Sequence, residues 1–259
     1  MRLEGKVALI TGAGTGVGRS CMKIFADEGA VVIGAGRTQA TLDESVANAR
    51  SGSGKAFGMA ADISSEDACA KLVAETIAQH GRIDILVHAA GVGYSWMEKS
   101  PNSMNDVATT PFDKWREVIG INLDGYFLMS RAVLPGMIAA GGGAIVAVTS
   151  ISGLLGLPVA HAYCAAKAGA INLTRAMCVA YAKDGIRVNC IAPGFIDTPM
   201  VASVISAFDD PVVADQLSPM RRPGSPDEMA KGCLYLASDD ASYCNGSVLV
   251  IDGGSSARQ

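Results

Sequence analysis

Three side chains between residues 150 and 167 have the types and the spacing that proton exchange with a carbonyl oxygen requires. Tyr163 and Lys167 are four residues apart in an alanine-rich stretch that is predicted to be helical, so they share one helix face. Ser150 follows residues 144–148, an apolar run typical of a buried strand. The end of a strand and the face of the next helix can bring the hydroxyl, the phenol and the ammonium together.

The chemistry needs these residue types, because a free tyrosine has a pKa of about 10 and is a weak base at neutral pH. A cation beside the phenol in a partly dry cleft favours the phenolate and lowers that pKa. Lys167 is placed to supply the cation, and Ser150 could hold the substrate oxygen while Tyr163 exchanges the proton. A tyrosine four residues before a lysine is also common in ordinary core helices, so the assignment depends on the rest of the chain.

A second group of residues, near the start of the chain, predicts a dinucleotide site. A glycine-rich loop at residues 11–18 joins an apolar run at residues 6–10 to a helical pattern at residues 19–29. Glycines let the backbone turn tightly and approach a pyrophosphate, and a helix N-terminus offers free N–H groups to the anion. A tight turn without a ligand is the alternative. The predicted contacts are Gly12, Thr15, Gly16, Val17 and Gly18.

The end of the second predicted strand, residues 31–35, bears on which dinucleotide is bound. An acidic residue there would hold the ribose 2′-hydroxyl of NAD, but the sequence has Gly36, Arg37 and Thr38. A guanidinium can bind a 2′-phosphate through two hydrogen bonds. The sequence therefore favours NADP(H), with NAD(H) as the alternative and a solvent-facing Arg37 as the simpler interpretation.

The ends of the next two predicted strands supply further contacts. Residues 55–61 are followed by a carboxylate that could accept a hydrogen bond from an adenine amino group. Residues 82–88 are followed by small residues, against whose backbone a cofactor could lie. The predicted contacts are Asp62, Ile63, Ala89, Ala90 and Gly91.

Strand and helix patterns alternate along the whole chain, which predicts a single α/β domain over residues 1–259 with a doubly wound, Rossmann-like parallel sheet of seven strands. The predicted strands are residues 6–10, 31–35, 55–61, 82–88, 144–148, 187–191 and 247–251. The predicted helices are residues 19–29, 39–50, 65–80, 112–138, 160–181 and 226–236, with a Gly/Ser turn at 51–54.

Some segments of this pattern carry more specific expectations. The helix over residues 112–138 contains Asn122 among apolar residues and is predicted to kink or end near Pro135. Residues 92–111 are polar and irregular, and could be a mobile lip over the substrate or only a surface excursion. Residues 194–226 contain scattered prolines and apolar side chains, which indicates a substrate lid.

Composition excludes several classes of protein. The chain has 259 residues, 49% of them hydrophobic, and a net charge of −4, which favours a folded domain and gives no basic face for nucleic acid. Seven cysteines without paired spacing indicate reduced thiols, no metal site and a cytoplasmic location. Residues 132–166 lack charge, but glycines and prolines interrupt them, so a buried strand is favoured over a membrane span. The N-terminus lacks the apolar core of a signal peptide.

Taken together and in order, these residues resemble the short-chain dehydrogenase/reductase family. The shared motifs are the Thr-Gly-x-x-x-Gly-x-Gly loop at 11–18, Asp62, His88-Ala-Ala-Gly91, Asn122, Ser150, Tyr163-x-x-x-Lys167, Pro193-Gly194 with Thr198, and Asp252-Gly253-Gly254. The resemblance implies that Asn122, Ser150, Tyr163 and Lys167 form the catalytic set. It also implies that Asn122 holds a relay water, that Lys167 binds the nicotinamide ribose, and that Tyr163, Pro193, Gly194, Ile196 and Thr198 contact the cofactor.

Two departures from the family pattern affect these expectations. The family usually has two asparagines where this chain has His88 and Ala89, and we expect His88 to be a buried hydrogen-bond donor. The segment from Gly91 to Asn122 is several residues longer than is common in the family. The resemblance also implies a homotetramer, or a homodimer, assembled through the long helices.

The expected activity is an NADP(H)-dependent oxidoreductase that interconverts a secondary alcohol and a ketone. Apolar side chains of the lid favour an apolar or cyclic, steroid-like substrate. A 3-oxoacyl thioester on an acyl carrier protein is the second candidate, with Arg221 and Arg222 as the only paired basic residues near the entrance. An NAD-dependent alcohol dehydrogenase is a further alternative, and a non-catalytic nucleotide sensor would have no need of the phenol. No nucleic acid or membrane partner is expected.

Overall fold

Short apolar runs, each ended by glycine or a polar turn, form the strands of a single parallel sheet. In the computed structural model, which describes residues 1–49 and 55–258, the strand order is β3-β2-β1-β4-β5-β6-β7. The strands are β1 (Val7–Thr11), β2 (Val31–Gly36), β3 (Lys55–Ala60), β4 (Ile85–His88), β5 (Gly143–Val148), β6 (Ile186–Pro193) and β7 (Val248–Ile251). The predicted doubly wound sheet of seven strands is confirmed.

Helices cover both faces of this sheet. They are α1 (Gly16–Asp27), α2 (Gln39–Ala49), α3 (Glu66–His80), α4 (Phe112–Ile119), α5 (Gly125–Ala139), α6 (His161–Tyr181), α7 (Pro211–Leu217) and α8 (Pro226–Ala237). Residue 50, the predicted end of the second helix, and the predicted turn at 51–54 lie outside the described residues.

Alternate residues along each strand point into two separate hydrophobic cores, because side chains on a strand alternate between faces. Ala8 and Ile10 of β1 are buried with α1, α2 and α8 on one face. Val7 and Leu9 are buried with α3, α5 and α6 on the other. The central strands are covered on both faces, which explains their uninterrupted apolar sequences.

The sheet changes winding direction between β1 and β4. The chain runs outward from β1 through β2 to β3, then returns to the other side of β1 and continues from β4 to β7. At such a switch point the loops after neighbouring strands diverge and leave a crevice at the carboxyl edge of the sheet. The loops that follow β1 and β4 therefore border a natural binding cleft.

Several helix ends follow the expected signals. The Ser65 hydroxyl accepts a hydrogen bond from the Ala68 N–H at the start of α3, and Gly81 ends that helix in a left-handed conformation. Ser225 begins α8 with a capping box that includes Glu228. A serine hydroxyl thus caps the start of both helices.

The long helix predicted over residues 112–138 is interrupted in a different place from the one expected. α5 continues past Pro135 to Ala139, because a proline removes only its own N–H bond while the packing of α5 against α3 remains. The interruption is a π-helical turn, Gly120–Asp124, in which the Gly125 N–H bonds to the Gly120 carbonyl. The turn widens the helix at Asn122, and π-turns of this kind occur frequently at functional sites.

The segment between β6 and α8 forms a separate excursion over the carboxyl edge of the sheet. It contains two 3₁₀ turns, Pro199–Val201 and Ile205–Asp209, and the short helix α7. A bridge between Ile196 and Gly224 closes the base of the excursion. Among the residues that the structure describes, no helix has the length and apolar character needed to cross a bilayer.

Candidate active site

One cavity of about 240 Å³ opens along the carboxyl ends of β1, β4, β5 and β6, at the switch point of the sheet. Fourteen of the predicted site residues line it: Gly12, Thr15, Gly16, Val17, Gly18, Ala89, Gly91, Ser150, Tyr163, Lys167, Pro193, Gly194, Ile196 and Thr198. The other six are not part of that lining: Arg37, Thr38, Asp62, Ile63, Ala90 and Asn122. Two elements distant in sequence, the glycine loop and the start of α6, thus face each other across one space.

Ser150 is held at the end of β5 by its own loop. Its backbone is extended, and its hydroxyl oxygen accepts a hydrogen bond from the Ser152 N–H at 3.1 Å. The same hydroxyl donates to the Ser152 Oγ, also at 3.1 Å. Ser152 therefore fixes the rotamer of Ser150 and accepts its hydrogen bond. A substrate oxygen in the cavity could accept that hydrogen bond instead.

Tyr163 and Lys167 lie on the first two turns of α6, and both are buried, with 6% and 5% of their surface exposed. The Lys167 Nζ donates to the Val148 carbonyl at 3.1 Å and lies 5.5 Å from the centroid of the Tyr163 ring. Gly153 lets the loop after β5 pack closely against α6, since a Cβ there would meet the Lys167 carbonyl carbon at 2.7 Å. Tyr163 and Lys167 thus lie on one face of α6, as their four-residue spacing predicts.

The expected fall in the pKa of Tyr163 is not found in this structure. Burial raises the pKa of Tyr163 above its ordinary value, and the Ser150 hydroxyl offsets only part of that rise. Burial also lowers the pKa of Lys167 to about 8, because a charged amine loses hydration in the cleft. Attraction between the two groups favours the phenolate, but the desolvation of both, which only the fold determines, outweighs it.

Asn122 occupies the π-helical turn beside these groups. Its Oδ1 accepts from the Val92 N–H at 3.2 Å, and its Nδ2 donates to the Val118 carbonyl at 3.1 Å. A Cβ on Gly91 would lie 2.7 Å from Asn122 Oδ1 and 3.4 Å from Lys167 Nζ. The amide is therefore satisfied by backbone groups, and only a glycine at residue 91 leaves room for it next to the lysine.

The glycine loop after β1 has the shape of a cradle for a pyrophosphate. A Cβ on Gly12 would meet the Ala90 nitrogen at 2.6 Å, and one on Gly18 would meet the Gly12 oxygen at 2.3 Å. Gly16 has a φ of +53°, which disfavours a side chain. Thr15 precedes α1 in an extended conformation and makes no side-chain cap, so it leaves the N–H groups of the first turn of α1 without a bond to its hydroxyl. The residues present fit a dinucleotide.

Arg37 and Asp62 lie beyond this cavity, at the ends of β2 and β3. Asp62 Oδ1 accepts from both the N–H and the hydroxyl of Ser64, at 3.0 and 2.7 Å. Burial alone would raise the pKa of Asp62, but these bonds and the charge of Arg37 leave it lowered. The carboxylate is thus ionised, and one oxygen remains available for a donor such as an adenine amino group.

His88 is buried at the end of β4, as expected, but it is only half satisfied. Its Nδ1 lies 3.1 Å from the Thr11 hydroxyl, while its Nε2 has no hydrogen-bond partner among the described residues. Burial, and then the charge of Lys167, lower the pKa of His88 to about 3. His88 is therefore a neutral ring inside the sheet edge, packed 5.2 Å from the ring of Tyr126.

The substrate side of the cavity is aromatic and apolar. The Tyr94 ring stacks on Phe195 at 6.2 Å and lies 6.2 Å from Tyr163. Phe195 in turn meets Phe208 edge-on at 5.9 Å. Met200 completes this wall against Gly93, where a Cβ would meet Met200 Sδ at 2.9 Å. An apolar molecule of modest size would be covered on several sides.

Tyr94 and Ser152 were not identified from the sequence as site residues, although both line the cavity. Tyr94 lies in residues 92–111, whose irregular composition gives no register. One signal was present for each: Tyr94 comes three residues after the small-residue turn, and Ser152 two residues after Ser150. Residues next in sequence to a cofactor loop or a catalytic hydroxyl share its position at the sheet edge.

Known proteins share this fold over the whole chain. The sequence matches the family model described as enoyl-(acyl carrier protein) reductase over residues 12–256. The crystal structure of levodione reductase has a TM-score of 0.91 with 34% identity and covers 100% of both chains. A short-chain type dehydrogenase/reductase from Mycobacterium marinum has a TM-score of 0.90 with 33% identity, covering 99% of this chain and 97% of that one.

The chain belongs to the short-chain dehydrogenase/reductase family.

Characterised relatives of this short-chain dehydrogenase/reductase act on alcohols and ketones. A cis-4-hydroxycyclohexanecarboxylate dehydrogenase of Sinomonas cyclohexanicum is 39% identical over 252 residues, 97% of each chain. A 3-oxoacyl-[acyl-carrier-protein] reductase of Thermotoga maritima is 37% identical over 254 residues, 98% of this chain and 99% of that protein. This short-chain dehydrogenase/reductase is therefore an oxidoreductase of alcohols and ketones that uses NAD(P)(H).

Proposed function

We propose that this enzyme interconverts a secondary alcohol and a ketone with NADP(H), and that the substrate is apolar or cyclic. The observation that carries the proposal is the convergence of Ser150, Tyr163 and Lys167 on one cavity that continues to the glycine cradle. A purely nucleotide-binding sensor would need the cradle but not a buried phenol, hydroxyl and amine beside it.

The chain's own residues handle the proton half of the reaction. A bound nicotinamide dinucleotide supplies the site that takes or gives the hydride. In oxidation the substrate carbon loses a hydride and its oxygen loses a proton. Ser150 holds that oxygen. In reduction the Tyr163 phenol donates the proton, and in oxidation the Tyr163 phenolate, which forms against the burial that raises its pKa, accepts the proton as general base. Buried Lys167 keeps a positive charge 5.5 Å from the phenol ring, which favours the phenolate as it forms.

Asn122 has a supporting role in this scheme. Its amide is bonded to Val92 and Val118 and lies against Gly91, next to the Lys167 ammonium. The π-helical turn around it opens the helix where a relay water could connect Lys167 to solvent. Lys167 would then pass the proton outward, while Tyr163 returns to its starting state.

The preference for NADP(H) depends on the end of β2. Gly36 places no acidic side chain against the ribose, and the next residue, Arg37, is exposed and held near Asp62. A guanidinium in that position is suited to a 2′-phosphate, which binds it through charge-assisted hydrogen bonds. NAD(H) is the alternative, because the glycine loop itself carries Thr15 and no second basic residue.

The aromatic wall and the segment over residues 194–226 support an apolar, cyclic substrate. We propose that this segment is a substrate lid, since its Phe195 and Met200 line the cavity and its Phe208 packs against Phe195. Relatives named for cyclohexanol and for a hydroxycyclohexane carboxylate act on six-membered rings. A steroid-like ring system is the larger version of the same class.

A 3-oxoacyl thioester on an acyl carrier protein is the second candidate. The Thermotoga maritima relative and the description of the family model favour it. An acidic carrier would need free basic side chains at the entrance, but Arg221 is paired with Asp215 and Arg222 with Glu228. The cyclic alcohol therefore ranks first.

We further propose a cytoplasmic homotetramer, with a homodimer as the smaller alternative. Apolar side chains remain exposed on α4, α5 and α6, at Phe112, Phe127 and Val179. Cysteines among the described residues are free thiols, in keeping with a reducing compartment. Light scattering coupled to size-exclusion chromatography would measure the assembly.

The direct test is a screen of ketones and secondary alcohols that follows nicotinamide absorbance with NADP and with NAD. Tyr163→Phe is expected to remove turnover while dinucleotide still binds, as measured by fluorescence titration. Tyr243→Phe is the matched control, because Tyr243 is fully exposed on the surface and should leave turnover unchanged. Turnover by Tyr163→Phe would show that the phenol has no part in the mechanism. Dinucleotide binding by the wild-type protein, without turnover of any compound in the screen, would favour the sensor.

A further inference from the structure

Two hydroxyl groups in the cavity are not used by the proton chemistry described above. Ser152 lies in the 3₁₀ turn Ile151–Gly153, and Tyr94 begins the turn Tyr94–Glu98. Both line the same cavity as Ser150 and Tyr163. The substrate wall is otherwise formed by aromatic and aliphatic side chains. The Ser152 and Tyr94 hydroxyls are therefore a second polar site, beside the one formed by Ser150 and Tyr163.

We propose that Ser152 and Tyr94 form a second oxygen-binding subsite, so that the enzyme prefers substrates that carry a hydroxyl or carbonyl on the carbon next to the reacting carbon. This inference rests on the proposed function and specifies its substrate class: vicinal diols, hydroxyketones and diketones, including cyclic ones.

The spacing of the hydroxyls supports adjacent oxygens. Ser150 Oγ and Ser152 Oγ are 3.1 Å apart, a separation that two oxygens on neighbouring carbons can match. A substrate oxygen on Ser150 therefore places an oxygen of the adjacent carbon within reach of Ser152. An oxygen farther along a chain would be carried past it, toward the aromatic wall.

The hydrogen-bonding capacity of the pair is also suitable. A serine hydroxyl has one proton and two lone pairs. The Ser152 Oγ accepts a hydrogen bond from Ser150, so its own proton is directed elsewhere, to the Tyr94 phenol or to a substrate oxygen. When Ser150 turns its proton to a substrate oxygen, Ser152 loses that donor, and a substrate hydroxyl could replace it.

Tyr94 is held so that its phenol stays in this position. Its ring stacks on Phe195 with a 20° angle between planes and lies 6.2 Å from the Tyr163 ring. Burial raises the pKa of Tyr94, while the nearby Ser152 hydroxyl acts in the opposite direction. The phenol therefore remains protonated at neutral pH and can donate to a carbonyl or hydroxyl oxygen.

A substrate without the second oxygen would leave these hydroxyls facing an apolar surface. Sites built to bond a substrate oxygen reject analogues that lack it much more strongly than apolar pockets reject an added group. We expect a preference in kcat/KM of roughly tenfold or more for the dioxygenated member of a matched pair.

The test compares matched substrates in wild type and in Tyr94→Phe, which keeps the ring and removes only the hydroxyl. The pairs are 2,3-butanediol with 2-butanol, 1,2-cyclohexanediol with cyclohexanol, and 3-hydroxy-2-butanone with butanone. The expected result is a wild-type preference for the first of each pair that falls by about fivefold or more in Tyr94→Phe. Ser152→Ala is the second variant, and Tyr243→Phe the control that should keep the wild-type ratio.

Other results would reject the subsite. Equal kcat/KM for both members of every pair in wild type would do so. An equal loss on both members in Tyr94→Phe would mean that Tyr94 acts only by positioning Ser150 through Ser152. Turnover of mono-oxygenated alcohols without preference would leave the proposed function intact, whereas no turnover of any alcohol or ketone would remove both.

Discussion

The guanidinium of Arg37 lies over the indole ring of Trp96, with its Cζ 5.2 Å from the ring centroid. Trp96 is fixed in turn by its indole N–H, which donates to Glu117 Oε1 at 2.9 Å. The contact connects the end of β2 to the segment over residues 92–111 across the loop that follows β1. Arg37 is therefore exposed but docked on an aromatic platform, at the end of the cleft where the adenosine half of a dinucleotide would lie.

Arg37→Ala tests whether this docked guanidinium selects NADP(H). Charged hydrogen bonds contribute about 1.5–3 kcal/mol, so the variant should bind NADP about 10-fold to 100-fold more weakly. NAD affinity should change little, because NAD has no 2′-phosphate. Trp96→Leu keeps the charge and removes the platform, and we expect a smaller loss of about threefold to tenfold.

Fluorescence titration with both dinucleotides measures these affinities. Arg131→Ala is the matched control, because Arg131 pairs with Glu66 on the surface, away from the cleft. Equal NADP affinity in wild type and Arg37→Ala would show that the guanidinium contributes nothing to cofactor choice.

The local part of this site could be predicted from the sequence. The four-residue spacing of Tyr163 and Lys167 fixes a shared helix face, and apolar runs ended by glycine fix the strands and their carboxyl edge. The partners of Trp96 could not be predicted, because Arg37 and Glu117 are 59 and 21 residues away and meet only in the folded chain. The π-helical turn at Asn122 has no sequence signature, and Pro135 gave a misleading one.

The pKa values of Tyr163 and Lys167 also could not be predicted from the sequence. The direction of a pKa shift depends on the balance between burial and neighbouring charge. The sequence shows that a cation is close to Tyr163, but the extent of burial at Tyr163 and Lys167 emerges only when α6 packs against β5 and the loop after it. For both groups burial dominates.

Lys167 should be a residue whose removal stabilises the fold while it ends catalysis. Burial lowers its pKa from 10.5 to about 8, so holding it charged at pH 7 costs roughly 3 kcal/mol relative to the unfolded chain. Lys167→Met keeps the length of the side chain and removes the charge. We expect higher unfolding free energy at pH 7, and no turnover.

The pH dependence of stability tests whether buried Lys167 destabilises the fold. Between pH 8 and 10.5 the unfolded chain binds more protons at Lys167 than the folded one, so wild-type stability rises with pH through that window. The advantage of Lys167→Met should therefore shrink from pH 7 to pH 10 in urea unfolding experiments. An advantage that is constant with pH would show that Lys167 is hydrated in the folded protein.

His88 should make the protein sensitive to acid. Burial lowers its pKa to about 3, while the unfolded side chain titrates near 6.5. The contribution of neutral His88 to stability is complete above pH 6.5 and is lost as the pH falls toward 3, by roughly 3 kcal/mol at pH 4. His88→Asn does not titrate, so its melting temperature should fall less than that of wild type between pH 7 and pH 4. Parallel melting curves for the two proteins over that range would contradict a buried neutral ring.

Gly91 leaves a space between Asn122 and Lys167. Filling this space should slow catalysis, while the protein still folds. An added Cβ would lie 2.7 Å from Asn122 Oδ1 and 3.4 Å from Lys167 Nζ, so Gly91→Ala must displace the amide from its bond to the Val92 N–H. We expect kcat to fall about tenfold or more, and unfolding free energy to fall by about 1–3 kcal/mol.

Gly136→Ala is the matched control for Gly91→Ala. Gly136 lies within α5, where an added Cβ meets only Ile77 Cδ1 at an ordinary 3.5 Å. This variant should keep wild-type kcat and gain up to about 1 kcal/mol of stability, because alanine favours helix more than glycine does. If Gly91→Ala retained full kcat with normal stability, the position of Asn122 beside the lysine would have no part in the reaction, and the relay would have to leave the cavity by another route.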